Sequence, residues 1–165
     1  MGSKRILIPT DFSGHTLGLI DKVISANPAE RVDIIFCTGY GLNMSTSELL
    51  FFSRCQIMQS IVPKSFMEAI DVVKEDQIGS IDSVRVEPFF GATESAFRSF
   101  LEGNRVSEIY VYKNYKSRFG HSSSFDITPM LMSLDIVHWI PFLGYVSNAE
   151  CEESFGDQCL TKVFG

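Results

Sequence analysis

The segment Arg5-Ile6-Leu7-Ile8-Pro9-Thr10-Asp11-Phe12-Ser13 constrains this chain more than any other. Its apolar run has the character of a strand buried on both faces, and Pro9 stops it. A Thr-Asp pair follows, and Ser13 stands where an N-cap opens an amphipathic helix. A buried strand that ends at a carboxylate and turns into a helix builds the lip of a ligand crevice in open α/β sheets. The rest of the chain repeats the alternation of strand and helix, which predicts a parallel sheet with crossover helices.

A first helix is expected from Ser13 to about Ala26, with Leu17, Ile20 and Ile24 on one face and Asn27-Pro28 as its stop. A second strand is expected over Val32 to Cys37, followed by a glycine turn, Thr38-Gly39-Tyr40-Gly41. Residues 42–79 read as a long helical stretch divided at Pro63. Its first half, Ser47 to Val62, carries Leu49, Leu50, Phe51 and Phe52 in succession, and Phe66, Ile70 and Val73 mark the second. Four consecutive apolar residues sweep most of a helix circumference, so another element or another chain must cover part of that surface. Ser83 to Phe89 alternates as a third strand. Gly91 then turns into a third helix, which ends at Gly103-Asn104, and Val106 to Tyr112 is a fourth strand. Lys113 to Asp126 is polar, basic and Ser-rich and reads as a loop. Thr128-Pro129 fits an N-cap with Pro at the first position of a short helix ending near Asp135. A fifth strand is expected over Trp139 to Val146, where Pro141 points to a sheet edge.

The 165 residues suit one domain, placed over 1–146, with an acidic tail at 147–165. Net charge is −6, which argues against nucleic acid and against anionic membrane as partners. No apolar run reaches the ~20 residues that span a bilayer, and no secretory leader is visible, so a cytoplasmic protein is expected. Cys37, Cys55, Cys151 and Cys159 are scattered, and no Cys or His pair has metal-ligand spacing. His15, His121 and His138 share no such spacing either, and Ser13 with His15 lacks an orienting group and an oxyanion site. No catalytic residue and no metal site is expected, and the chain is read as a non-enzyme.

Three segments, in this order, resemble the universal stress protein family. They are Ile6 to Ser13, Val84 to Ala96 with its Gly91 turn, and Val106 to Tyr112. The resemblance implies an α/β fold with a five-stranded parallel sheet, order 3-2-1-4-5, and helices on both faces. In ATP-binding members the fourth strand runs into a Gly-x-x-Gly pair and, further on, a Gly-Ser or Gly-Thr, because glycines let the backbone approach phosphates. Here Lys113 and Lys116 stand at the paired-glycine positions, the later pair falls within Ser122 to Ile127, and Gly120 is the one glycine left.

The resemblance implies a binding set of Pro9, Thr10, Asp11, Thr38, Lys113, Asn114, Lys116, Gly120, Ser122, Ser123 and Ser124. Asp11 has two readings: a hydrogen-bond acceptor for a ligand, or a carboxylate that satisfies backbone N–H groups at its own turn. The basic loop from Lys113 to Ser124 likewise reads either as a replacement anion site or as a solvated surface loop. Tyr40 is a candidate to stack on a base. The leading expectation is a stress-associated regulatory binding module with a degenerate nucleotide site and no cofactor. The alternatives are an ATP-binding protein with a non-standard phosphate loop and slow hydrolysis, or a sensor for another small anion. An open pocket beside Asp11 and Thr38 favours a ligand; a crevice filled by Tyr40, Tyr112, Tyr115 or Phe119 favours the interaction module. A homodimer through the last strand, by Trp139, Ile140, Phe142 and Tyr145, is also expected.

Overall fold

Strand β1 (Lys4–Pro9) carries Ile6, Leu7 and Ile8 in succession, all fully buried, which only a strand covered on both faces allows. The computed structural model of the chain describes residues 2–42, 47, 50–51 and 53–144. After β1 come helices α1 (Gly14–Leu17) and α2 (Leu19–Ala26), then β2 (Val32–Tyr40), α3 (Arg54–Ile61) and α4 (Lys64–Asp76). Next are β3 (Ile81–Phe89), α5 (Glu94–Gly103), β4 (Glu108–Lys113), β5 (Ser124–Phe125), a 3-10 turn (Thr128–Leu131) and β6 (Val137–Pro141). The sheet order is β3-β2-β1-β4-β6, all parallel along that path, and β5 pairs antiparallel with β2. The five long strands therefore take the expected order, with one short strand added.

Alternate residues of each strand feed two cores, as a pleated sheet requires. Ile6, Ile8, Ile34 and Phe36 meet Leu17, Ile20 and Val23 of α1 and α2, and Phe66, Ile70 and Val73 of α4. On the opposite face, Leu7, Cys37, Phe89, Ile109 and Val111 meet Phe97 and Leu101 of α5, and Ile127 and Leu131 at the 3-10 turn. Helix α4 buries Phe66, Ala69, Ile70 and Val73, the spacing of one helical stripe. Thr93 caps α5, its Oγ1 accepting from the Ala96 N–H at 3.1 Å.

Several boundaries differ from the sequence expectation. The helix expected over Ser13 to Ala26 is two helices, divided at Gly18. Strand β2 does not stop at Cys37 but runs three residues further, so Thr38 to Tyr40 are strand rather than turn. The short helix after Thr128 is a single 3-10 turn that includes Thr128, with Asp126 Oδ1 accepting the Thr128 N–H at 2.9 Å. The last strand begins at Val137 and ends at Pro141, two residues earlier than expected at its start, and lies at the sheet edge. Leu50 and Phe51 are exposed, whereas Leu49 and Phe52 lie outside the described residues. Tyr145, Val146, the 147–165 tail and both of its cysteines also lie outside them.

Candidate functional site

The crevice of this fold lies where β1 ends, between its neighbours β2 and β4. Thr10 still donates its N–H to the Cys37 carbonyl at 2.9 Å, and the chain then turns sharply. The turn requires Phe12 at φ 63°, a left-handed conformation that costs an aromatic residue about 1–3 kcal/mol. A directed chain of hydrogen bonds holds it. The Phe12 N–H donates to Thr10 Oγ1 at 2.9 Å, Thr10 and Thr16 hydroxyls meet at 2.8 Å, and Thr16 donates to the Ser13 carbonyl at 2.9 Å. Since Thr16 has one hydroxyl proton, Thr10 is the donor between the two. The Phe12 ring packs edge-on against Phe66, with centroids 5.3 Å apart.

Asp11, 6% exposed, is satisfied by its own chain. Its Oδ1 accepts the Ser13 N–H at 3.1 Å, and its Oδ2 accepts the Tyr115 hydroxyl at 2.6 Å and the Arg118 N–H at 2.9 Å. With the phenol proton committed to Asp11, the Ser13 hydroxyl donates to Tyr115 Oη at 2.7 Å. Ser13 holds the N-cap position of α1, but its side chain does not cap. Around this pair His15, Tyr112, Tyr115 and Phe142 pack ring on ring, with centroids between 4.9 and 6.1 Å apart. Burial lowers the His15 pKa below its ordinary value, opposed by the Asp11 carboxylate. Burial also pushes the Cys37 thiol up, which makes it a poor nucleophile.

The segment after β4 crosses the end of β1 and reaches β2. It leaves through Asn114, at φ 62°, passes Tyr115 and Arg118 over Asp11, and turns at His121 to Ser124. The Ser123 N–H donates to His121 Nδ1 at 3.1 Å, which places the ring proton of a neutral His121 on Nε2. The Gly41 N–H donates to the Ser123 carbonyl at 2.8 Å, and β5 pairs with the part of β2 that outruns β1. Gly39 is needed here, because a Cβ would fall 2.4 Å from the Phe125 ring.

Of the residues expected in the site, Thr10 and Asp11 come together with Ser13 at the end of β1, where Pro9 pairs with Cys37. Thr38 is buried, and its hydroxyl has no hydrogen-bond partner among the described residues. Ser123 and Ser124 belong to the turn and to β5, whereas Lys113, Asn114, Lys116, Gly120 and Ser122 are exposed. Gly120 adopts no positive φ and faces open space, so it supplies no glycine-specific contact. Tyr40 meets Phe90 and His121, at 6.0 and 5.5 Å. Of the strand expected at the dimer contact, Ile140 packs against the first core and Phe142 against His15, Tyr112 and Tyr115. The Arg118 backbone and Phe125 are the site groups that sequence reasoning missed. Among the described residues no cluster of His, Cys, Asp or Glu is placed to hold a metal ion, and no helix is long and apolar enough to cross a membrane.

No family model matches the chain, and no curated protein matches it in sequence. Solved structures match it in fold. A universal stress protein family member from Burkholderia pseudomallei superposes with a TM-score of 0.50 at 14% identity, covering 86% of this chain and 100% of its own. A universal stress protein from Lactobacillus plantarum gives 0.48 at 11% identity, covering 85% and 99%. Another, solved in complex with cAMP, gives 0.42 at 12%, covering 66% and 75%. The chain thus has an open, parallel α/β fold with its crevice at the end of β1. That fold is the universal stress protein fold.

Proposed function

We propose that the protein is a divergent universal stress protein-like binding module, regulatory rather than enzymatic, that does not hold ATP tightly. The observation that carries this reading is the state of Asp11. Two backbone N–H groups and the Tyr115 hydroxyl already take its oxygens. The chain after β4 supports it too, since the 3-10 turn of four residues replaces a crossover helix there. A full helix N-terminus is what would present several N–H groups to a phosphate. The module is proposed to be cytoplasmic and to pair as a homodimer through the outer edge of β6, an assembly that sedimentation velocity reads directly.

Thermal unfolding with millimolar Mg-ATP tests the reading. An unchanged melting temperature is expected. A ligand at one hundred times its Kd adds about 2.7 kcal/mol, a rise of about 5–10 °C for a chain of this size, and that result would overturn it. One observation favours a second reading, in which a nucleotide or another small anion binds through a non-standard loop with at most slow hydrolysis. The Thr38 hydroxyl is buried without a partner among the described residues, and a bound small molecule would supply one. Mass spectrometry of the gently denatured, freshly purified protein separates the two. A retained small molecule supports the second reading, and an empty protein supports the first.

A further inference from the structure

Strand β6 and the two residues after it send their side chains two ways. Ile140 packs into the first core, and Phe142 packs against His15, Tyr112 and Tyr115. The alternate row begins at Val137, which lies against the second core. Its later members, Trp139, Pro141 and Leu143, are exposed, Leu143 at 85%. Among the described residues this side of the sheet is covered by α5 and a single 3-10 turn, and Met130, Leu134 and Ile136 at the margin of the core are half-buried. Met132, between that turn and β6, is 76% exposed. Single exposed apolar residues are ordinary, whereas a row of them running off the margin of a core marks a contact surface.

A homodimer needs more than the outer edge of β6. That edge is five residues long, and Pro141 has no N–H to donate. A stable interface buries about 800 Å² on each partner and takes roughly 20–30 residues a side. The first-core side of β6 is poorly suited to supply the remainder. There His138 stacks on Tyr110, with centroids 4.6 Å apart, beside the Lys4–Glu108 ion pair, and the centre of an interface is depleted of charged residues. We propose that a second copy of the chain packs across the second-core side of β6 and buries Met132, Trp139, Pro141 and Leu143. It occupies the place that a full crossover helix between β4 and β6 would cover. Met and Trp are side chains that interface cores favour, and in a two-fold pair each row meets the same row of its partner. The proposal rests on the homodimer reading and assigns the contact to a face rather than to the edge alone. Trp139 belongs to both, whereas Met132 and Leu143 lie off the strand and tell the two apart.

Sedimentation equilibrium of the full chain, over about a hundredfold range of protein concentration, tests the assignment. The wild type is expected to dimerise. Leu143→Glu and Met132→Glu are each expected to raise the dimer Kd about tenfold or more, because each puts a charge into an apolar contact. Val72→Glu, an exposed position on α4, is expected to leave the Kd unchanged. All three positions are exposed in the single chain, so the variants should keep the wild-type far-UV circular dichroism. A dimer weakened by Trp139→Glu but by neither Leu143→Glu nor Met132→Glu would be held by the edge alone. That result would overturn the face contact and leave the homodimer reading standing. A Kd raised as much by Val72→Glu as by the other two would also overturn the face contact. A wild type that stays monomeric throughout the range would overturn both the face contact and the homodimer.

Discussion

At Asp11 three donors converge on one buried carboxylate, and each would lose its partner if the side chain were truncated. The Ser13 and Arg118 amides and the Tyr115 hydroxyl cannot all recover water while the ring cluster of Tyr112, Tyr115 and Phe142 stays packed. Leaving a buried donor unsatisfied costs about 1–3 kcal/mol, and partial relaxation of the segment after β4 lowers the sum. Asp11→Ala is therefore expected to lose about 2–3 kcal/mol in urea unfolding. A loss under about 0.5 kcal/mol would mean that Asp11 is not held by its own chain in solution. Phe12 makes the complementary point. Its left-handed backbone is a cost, and its ring against Phe66 offsets that cost, so the turn that aims Asp11 is held from both sides.

Among the elements, the last strand is the one that offers an edge to a second copy. Strand β6 closes one end of the order, and its neighbour β4 occupies one side only. Its Ile140 points into the first core, whereas Trp139, on the opposite face, is 36% exposed. Among the described residues only β4 pairs with β6, and a large aromatic on such an edge is a natural anchor for a second copy. Trp139→Glu is expected to shift a dimer to monomer in sedimentation velocity and to make the unfolding midpoint independent of protein concentration. A dimer that survives the substitution rules out this edge. The fold was legible because β1, β2 and β4 are short apolar runs between helical stripes, and those periods are local. The loop character of 113–126 was legible too, from its serines and lysines. What periodicity cannot carry is pairing over distance. Tyr115 finds Asp11 across 104 residues, and Gly39, read as a turn, serves to admit the Phe125 ring. For the same reason β5, only two residues long, left no mark in the sequence.

Taken as a whole, the molecule carries titratable groups at both ends of its sheet, and they respond to acid in different pH ranges. At the carboxyl end His15 sits among Tyr115 and Phe142, and burial holds its pKa below the ordinary 6.5, with Asp11 opposing. At the amino end burial alone would raise the Asp33 carboxyl. The hydroxyls of Ser3 and Ser83, at 2.5 and 2.7 Å, together with Arg5 and Arg85, outweigh it and hold the pKa below 3.8. Burial likewise works against ionised Glu108, and Lys4 at 2.5 Å, with His138 and Tyr110, holds it below 4.5. The folded chain binds a proton at His15 less readily than the unfolded chain does. Stability is therefore lost as pH falls through about 6.5 and levels off once the lowered folded value is passed. Asp33 and Glu108 contribute stability above their unfolded values, and it is lost as pH falls through their lower folded ones. Asp21, raised by burial, works the other way and recovers a part of that loss. Urea unfolding from pH 8 to 3 is expected to show two acid steps, one beginning near pH ~6.5 and one below pH ~4.5. His15→Gln should remove the first step and leave the second, while Asp33→Asn should shrink only the second. A single step below pH ~4.5 in the wild type would mean that the His15 ring is solvated and the ring cluster over Asp11 is open.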